Sequence, residues 1–349
     1  MSFYARHWQR RIALAIPSFY RWQFLGAPAS QAADHCCVAV DDSGAVLGVM
    51  GLNPRPFILN GRPQSAAELT TWVVAQEARG RGVGRAILDW LMSRYEVLFG
   101  PGITAAALPL YIGAGFVHIR HVPRVVQIYR TDVPDDFIRV TDAGRRRLMR
   151  NRAATPSGSS GRPIDIDHVA ATANRHLSRF NHYLRDEAHL KWRYFDHPVF
   201  RYEFFQVVDG GGEAVVAMRV DEVRDVKIAH VVECFGAAVA MPAAVSFLDR
   251  CCVERGIHIA DFTCVSSAVT CFFRAAGWFS TIDDNDVQVI NLFHPPEFRD
   301  PPTTSLVLWS RRDRPDLLDF GRLYLTKGDL DLDRPTHAYY ERHGLAAPA

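Results

Sequence analysis

The chain has 349 residues, enough for two domains of ordinary size. Its 48% hydrophobic and 22% charged content is that of a folded globular protein, and a formal charge of +2 gives no mandate for nucleic acid. Its seven cysteines (Cys36, Cys37, Cys234, Cys251, Cys252, Cys264, Cys271) are odd in number and include no Cys-x-x-Cys. That fits reduced thiols in a cytoplasm, with neither a disulfide framework nor a metal site.

Near the amino terminus, Arg10-Arg11 precedes a short apolar stretch, residues 12–16, cut by Pro17. A signal peptide needs a longer core. The longest small-apolar run, residues 237–248, contains Pro242 and is too short for a bilayer. The chain is therefore expected to be cytoplasmic, with no membrane span.

Residues 20–28 place Trp22, a polar residue, an aromatic and then Pro28. Residues 37–48 alternate around Asp41-Asp42-Ser43-Gly44, a strand–turn–strand signal. Residues 69–74 are β-branched and apolar and read as a strand. A turn with three glycines and two arginines follows, and then an amphipathic helix over residues 86–95. Glycines at such a turn let the backbone approach a ligand and leave the first helical N–H groups pointing at it. Those donors, the helix dipole and the guanidiniums favour a pyrophosphate.

No Lys-Ser or Lys-Thr follows these glycines, which excludes a Walker loop. A dinucleotide fingerprint would need glycine where Arg85 stands. The next expected strand, residues 102–108, also ends without an acidic residue for a ribose. The pattern present is Arg79-x-x-Gly82-x-Gly84. Downstream lies Tyr111-Ile112-Gly113-Ala114-Gly115-Phe116. Together these resemble the coenzyme A loop and the closing Tyr-x-x-x-Gly-Phe segment of the GNAT (GCN5-related N-acetyltransferase) superfamily, over about residues 35–130.

The pattern then recurs. Residues 190–198 repeat the Trp-to-Pro spacing at Trp192 and Pro198, and residues 205–216 repeat the hairpin. Residues 228–233 with 243–254 repeat strand and helix, and Phe273, Gly277 and Trp278 repeat Tyr111, Gly115 and Phe116. The offsets lie between 160 and 170 in consistent order, which suggests duplication. Arg79, Gly82 and Gly84 fall on Val239, Pro242 and Ala244, so the second copy should not bind the cofactor. Between the copies, Arg145, Arg146, Arg147, Arg150 and Arg152 read as a solvated linker face, and residues 156–161 as a flexible connector. Residues 324–335 include Asp329-x-Asp331-x-Asp333, but Arg334 and Tyr340 stand where an EF-hand needs Gly and Glu. This charged segment is expected to be an exposed tail, with a cap over the acceptor site as the alternative.

The resemblance implies an α/β (α+β) fold of two tandem GNAT-like domains, each a mixed, mostly antiparallel twisted sheet flanked by helices. The expected layout is a catalytic unit at 1–130, a linker at 131–163, a degenerate unit at 164–335 and a tail at 336–349. It implies that Arg79, Gly80, Arg81, Gly82, Val83, Gly84 and Arg85 cradle the pyrophosphate of acetyl-CoA. Amides around Trp72, Val73 and Val74 would pair with its pantetheine arm. Tyr111 would protonate the departing sulfur, or merely pack. Glu68, eleven residues before Arg79, resembles the family's glutamate base, with ordered water as the alternative. His189, Trp192, Arg193 and His197 form a polar–aromatic cluster that would line an acceptor pocket or serve as scaffold.

The activity implied is acetyl-CoA-dependent N-acyltransfer, without metal, by direct attack of a small-molecule amine. Residues 192–198 and 326–335 resemble tandem GNAT proteins of bacterial surface-glycan gene clusters, which makes an amino sugar, nucleotide-linked or other, the first expectation. Amino acids, polyamines and aminoglycosides are the alternatives. A non-catalytic acyl-CoA sensor or scaffold is the competing class, a dinucleotide enzyme a distant third, and a homodimer stays open.

Overall fold

The computed structural model describes residues 2–8, 11–28, 35–151, 159–293, 303–312 and 314–343. One sheet has six strands in the order Cys36–Val40, Val46–Pro54, Ala66–Val74, Val97–Pro101, Leu306–Ser310, Val117–Ile119. Its neighbours are antiparallel except Ala66–Val74 and Val97–Pro101, which run parallel. That parallel pairing covers only Ala66↔Val97, Ala67↔Leu98 and Glu68↔Phe99. Beyond Glu68 the strands part. Thr70 and Thr71 together oppose Gly51, a bulge that bends the longer strand just past the point of divergence.

A seven-stranded sheet has the order Gly161–Pro163, Glu203–Asp209, Gly212–Val223, Val226–Gly236, Ile259–Thr263, Arg124–Ile128, Phe279–Ser280. It too holds one parallel pair, Val226–Gly236 with Ile259–Thr263, joined from Ile228↔Ile259 to Val231↔Phe262. A bulge between Ala217 and Met218 matches the bulge of the first sheet.

Each half lends the other a strand. Leu306–Ser310 lies between Val97–Pro101 and Val117–Ile119, and Arg124–Ile128 lies between Ile259–Thr263 and Phe279–Ser280. Leu306–Ser310 is buried along its whole length, as its apolar run requires. A smaller sheet of Leu323–Tyr324, Asn181–Tyr183, Phe57–Leu59 and Arg62–Gln64 also ties the halves together.

The Trp-to-Pro segments meet at the centre. Each forms a π-helical turn, Arg21–Leu25 and Lys191–Phe195. The Trp22 and Trp192 rings stack at 5.1 Å. Trp22 Nε1–H donates to the Trp192 carbonyl at 3.0 Å, and Trp192 Nε1–H donates to the Trp22 carbonyl at 2.8 Å. Such reciprocal contacts are those of a local two-fold axis.

Three expectations are corrected. The strand placed at 102–108 is Val97–Pro101 instead. Gly102 takes φ +65, and Pro109 then starts the helix Leu108–Gly113. The flexible connector lies partly outside the described residues; within 131–163 the chain forms the strand Ile138–Val140, the helix Asp142–Asn151 and the strand Gly161–Pro163. The segment 324–335 is no exposed tail. It is a strap through the middle of the molecule, with Tyr324, Lys327, Asp329 and Asp333 all at most 3% exposed.

Candidate active site

The opened strand leads into the glycine turn. Ala75 N–H donates to the Leu47 carbonyl, so the antiparallel ladder alternates to direct the main-chain groups of Trp72 and Val74 away from their neighbour. Among the described strands none pairs with Ala66–Val74 on that side beyond Glu68. Val73 turns its side chain into the amino-terminal core.

Gly80 and Gly82 sit at φ +76 and +82, backbone that L side chains rarely adopt. A Cβ at either would meet nothing within 4 Å, so the turn faces open space. Gly82 caps the helix Val83–Arg94 with no side-chain bond, and the first intrahelical bond runs from Ala86 N–H to the Gly82 carbonyl. The N–H groups of Val83, Gly84 and Arg85 therefore have no acceptor within the helix. Gly84 serves packing: a Cβ there would lie 2.9 Å from the Trp72 ring. Arg79 and Arg81 are exposed at the turn. Arg85 points elsewhere, bonded to Asp89 at 2.8 Å and to the Gly113 carbonyl at 3.1 Å.

Tyr111, 2% exposed, stands edge-on to Trp72 and Phe116, at 5.3 and 5.0 Å. Burial and the Asp331 carboxylate raise its pKa, which keeps the phenol in its proton-donating form. Beside it, Trp72 Nε1–H is buried with no acceptor among the described residues. An orphan donor on the opened side of the strand suits a polar ligand arm lying there.

Glu68 sits where the strands part. It is buried, 2% exposed. Asn53 Nδ2–H donates to its Oε2 at 2.7 Å, and Asp331 N–H donates to its Oε1 at 2.6 Å. Gln23 orients Asn53 through its Oδ1, at 3.3 Å. Burial, then the Asp331 charge, raise the Glu68 pKa to about 8, against the pull of Arg55. The carboxylate borders a cavity of about 20 Å³, room for one water. Trp22 and Asn53 line it from the first half, Trp192 and Arg193 from the second, and Asp329, Asp331 and Arg334 from the strap.

The strap is held residue by residue. Thr326 and Asp329 form a capping box. Gly328 is needed because a Cβ would lie 1.9 Å from the Tyr194 hydroxyl. Asp329 bridges Arg55 at 3.1 Å and Arg185 at 2.7 Å. Asp331 pairs with Arg334 at 2.9 Å, and Asp333 with Arg219 at 2.7 Å and Arg193 at 3.3 Å. His189 lies behind this wall. Its Nε2 faces Arg55 at 2.7 Å, and a guanidinium only donates, so the imidazole is neutral with its proton on Nδ1. His197 packs against Trp22 and Phe200 and accepts N–H bonds from Val199 and Phe200. Of the polar–aromatic cluster, Trp192 and Arg193 thus border the cavity and the two histidines stand outside its lining.

At the matching place in the second half, strand register puts His230 where Glu68 stands and Arg219 where Asn53 stands. Lys327 fills the space, its Nζ donating to Asp261 at 2.7 and 2.8 Å. The Cys234 N–H, on the diverging strand, is taken by the Tyr324 hydroxyl at 3.2 Å. Pro242 occupies the first turn of the helix Met241–Glu254. The second half has a filled cleft where the first has an open one.

The profile of the acetyltransferase (GNAT) family matches residues 3–110. The match lies wholly within the first half of the chain. Two structures of Saccharomyces cerevisiae N-myristoyltransferase with bound myristoyl-CoA align at TM-score 0.50 with 11% and 12% identity. Each alignment covers 85% of this chain, and 71% and 74% of theirs. A GCN5-related N-acetyltransferase from Anabaena variabilis aligns at TM-score 0.46 and 12% identity, over 79% of this chain; the chain spans 62% of that protein's length. At these identities the likeness is one of fold. No curated protein matches the sequence.

Sequence reasoning picked out the glycine turn, Tyr111 and Glu68, which the fold arranges along one strand and its two ends. It missed Asn53 and Arg55, whose place at the cavity follows only from strand register. It treated the strap's carboxylates as solvent-facing.

Proposed function

We propose that the chain is an acyl-CoA-dependent N-acyltransferase whose first half binds acetyl-CoA and whose acceptor is a small-molecule amine, an amino sugar by preference. The observation that carries this reading is the continuity of one path. The glycine turn with its free helical N–H groups leads along the unpaired side of Ala66–Val74 to a buried glutamate at the point of divergence. The turn fits a diphosphate, the main chain of Trp72 and Val74 and the Trp72 indole fit an amide-rich arm, and no metal is invoked. The amine attacks the bound thioester carbonyl, Glu68 takes its proton directly or through the cavity water, and the phenol of Tyr111 protonates the departing thiolate. The degenerate second half, with its filled cleft, would contribute walls and not chemistry.

The test is thiol release from acetyl-CoA with a panel of amines, including amino sugars, amino acids, polyamines and aminoglycosides. Amine-stimulated release is expected; tight coenzyme A binding with no stimulation by any amine would favour the sensor. One observation speaks for that second reading: the cavity of about 20 Å³ has room for no more than a water-sized group beside Glu68, so a larger acceptor reaches the carboxylate only if the lining moves.

Two substitutions probe the chemistry. Glu68→Gln should lower turnover about 10²-fold. In the parent protein kcat/KM should rise with pH through a limb near 8, since the carboxyl accepts a proton only once ionised. The limb should vanish in the variant; its persistence would assign it to another group. Tyr111→Phe should slow turnover about 10²-fold with cofactor affinity unchanged. A parent rate in that variant would make Tyr111 a packing residue.

A further inference from the structure

The geometry points to Asp331 as the positioning residue of this site: its main chain and side chain, delivered by the strap from the far half, hold Glu68 ready to receive the acceptor's proton. The inference rests on the reading of Glu68 as the base.

Asp331 touches the site in three ways. Its N–H donates to Glu68 Oε1 at 2.6 Å, which fixes the carboxylate's rotamer together with Asn53 on Oε2. Its own carboxylate borders the same cavity and presses on both Glu68 and Tyr111 electrostatically. Its Oδ2 is tied to Arg334, which spans to Thr71 Oγ1 at 3.1 Å on the opened strand. Thr71 belongs to the bulge that splays that strand. One strap segment therefore contacts the base, and the bulge beside the cofactor path. The charged or titratable groups facing Glu68 are Asp331, Arg55 and Tyr183; those facing Asp331 are Arg334, Arg193 and Tyr111. Two carboxylates this close titrate as a pair, and burial raises both.

Such an arrangement makes the first half dependent on the strap, 263 positions from Glu68 at Asp331, for its acid–base chemistry. It also gives a proton leaving the amine two oxygen-rich neighbours. Glu68 accepts it, and Asp331 favours its arrival by like-charge repulsion between the carboxylates.

The experiment follows the Glu68 carboxyl by ¹³C NMR in glutamate-labelled protein with coenzyme A present, assigned with Glu68→Gln. Asp331→Asn keeps the N–H and the volume but removes the charge. It should lower the Glu68 titration by on the order of one pH unit, and shift the rising limb of kcat/KM equally, with coenzyme A affinity unchanged. Arg334→Gln removes the opposing cation and should raise the apparent values of the pair. A folded Asp331→Asn protein with an unmoved titration overturns the assignment; should that variant not fold, an unmoved titration in Arg334→Gln does so. The two readings fail separately. A parent rate in Glu68→Gln overturns the base and this inference together, whereas unmoved titrations with an inactive Glu68→Gln overturn the role of Asp331 alone.

Discussion

Gly82→Asp is expected to abolish coenzyme A binding while leaving the protein folded. At φ +82 an aspartate suffers left-handed strain of about 1–2 kcal/mol. No steric clash adds to it, because a Cβ at this position meets nothing within 4 Å. Part of the strain is offset, since a carboxylate at the N-cap accepts from the uncapped N–H groups and lies at the positive end of the dipole. On the proposed reading, that same gain removes the anion site. The donors meant for a diphosphate acquire an internal acceptor, and a negative charge stands where the ligand's charge belongs. Calorimetry should show no binding at ligand concentrations that saturate the parent protein, and the melting temperature should fall by only a few degrees. Unchanged affinity would mean that the cofactor lies elsewhere, and the whole path along Ala66–Val74 would lose its meaning. A protein that fails to fold would trace to the strain alone, and Gly82→Ala, which shares that strain without the charge, separates the two.

The contrast between this loop and the strap explains what the sequence reveals. The glycine turn is legible because its parts are neighbours in the chain. Strand, glycines, arginines and helix follow one another within about twenty residues, and local conformational rules connect them to an anion. Tyr111 and the Trp22/Trp192 repeat are legible for similar reasons of short spacing or repetition. The exchanged strand 306–310 is not singled out in the sequence, and no local rule says that it enters the sheet of the first half. The strap is the extreme case. Lys327, Asp329, Asp331, Asp333 and Arg334 have the composition of a solvated end, and composition normally predicts exposure. Here the partners are far away: Arg55 by 274 positions from Asp329, Arg185 by 144, and Arg219 by 114 from Asp333. Burial of these charges is decided by guanidiniums whose presence at the same spot only the tertiary fold discloses. Asp-x-Asp-x-Asp was visible as a pattern, but its residues lie on successive turns, the 3-10 turn Lys327–Asp329 and the one closed by Asp333 N–H on the Leu330 carbonyl. Its destination was not visible.

Asp333→Asn should be the most destabilising single substitution in the strap. The Asp333 carboxylate is 1% exposed and receives Arg219 at 2.7 Å, Arg193 at 3.3 Å and the Tyr202 hydroxyl at 2.9 Å. Removing its charge leaves the buried Arg193 guanidinium without its carboxylate and Arg219 with only Asp221, at 3.3 Å, a change of about 3–5 kcal/mol. Against a typical stability of roughly 5–15 kcal/mol, that is a large fraction. Burial raises the carboxyl's pKa, but Arg219 and then Arg193 outweigh it and hold the group well below the usual carboxylate range. The sign of the pH dependence follows. A depressed carboxyl stabilises the fold above its unfolded value, about 3.9, and that contribution is lost as pH falls toward the lower folded value. Urea unfolding at pH 7 should therefore show the full deficit in Asp333→Asn, and the gap to the parent should narrow below about pH 4. A gap that stays constant down to acid would mean that packing of the strap, and not its charge, holds it. Because Asp331 lies two residues away in the same turn of the strap, where Asp333 N–H donates to the Leu330 carbonyl, loosening at Asp333 should also release Glu68, and the variant should lose acyl transfer before it loses coenzyme A.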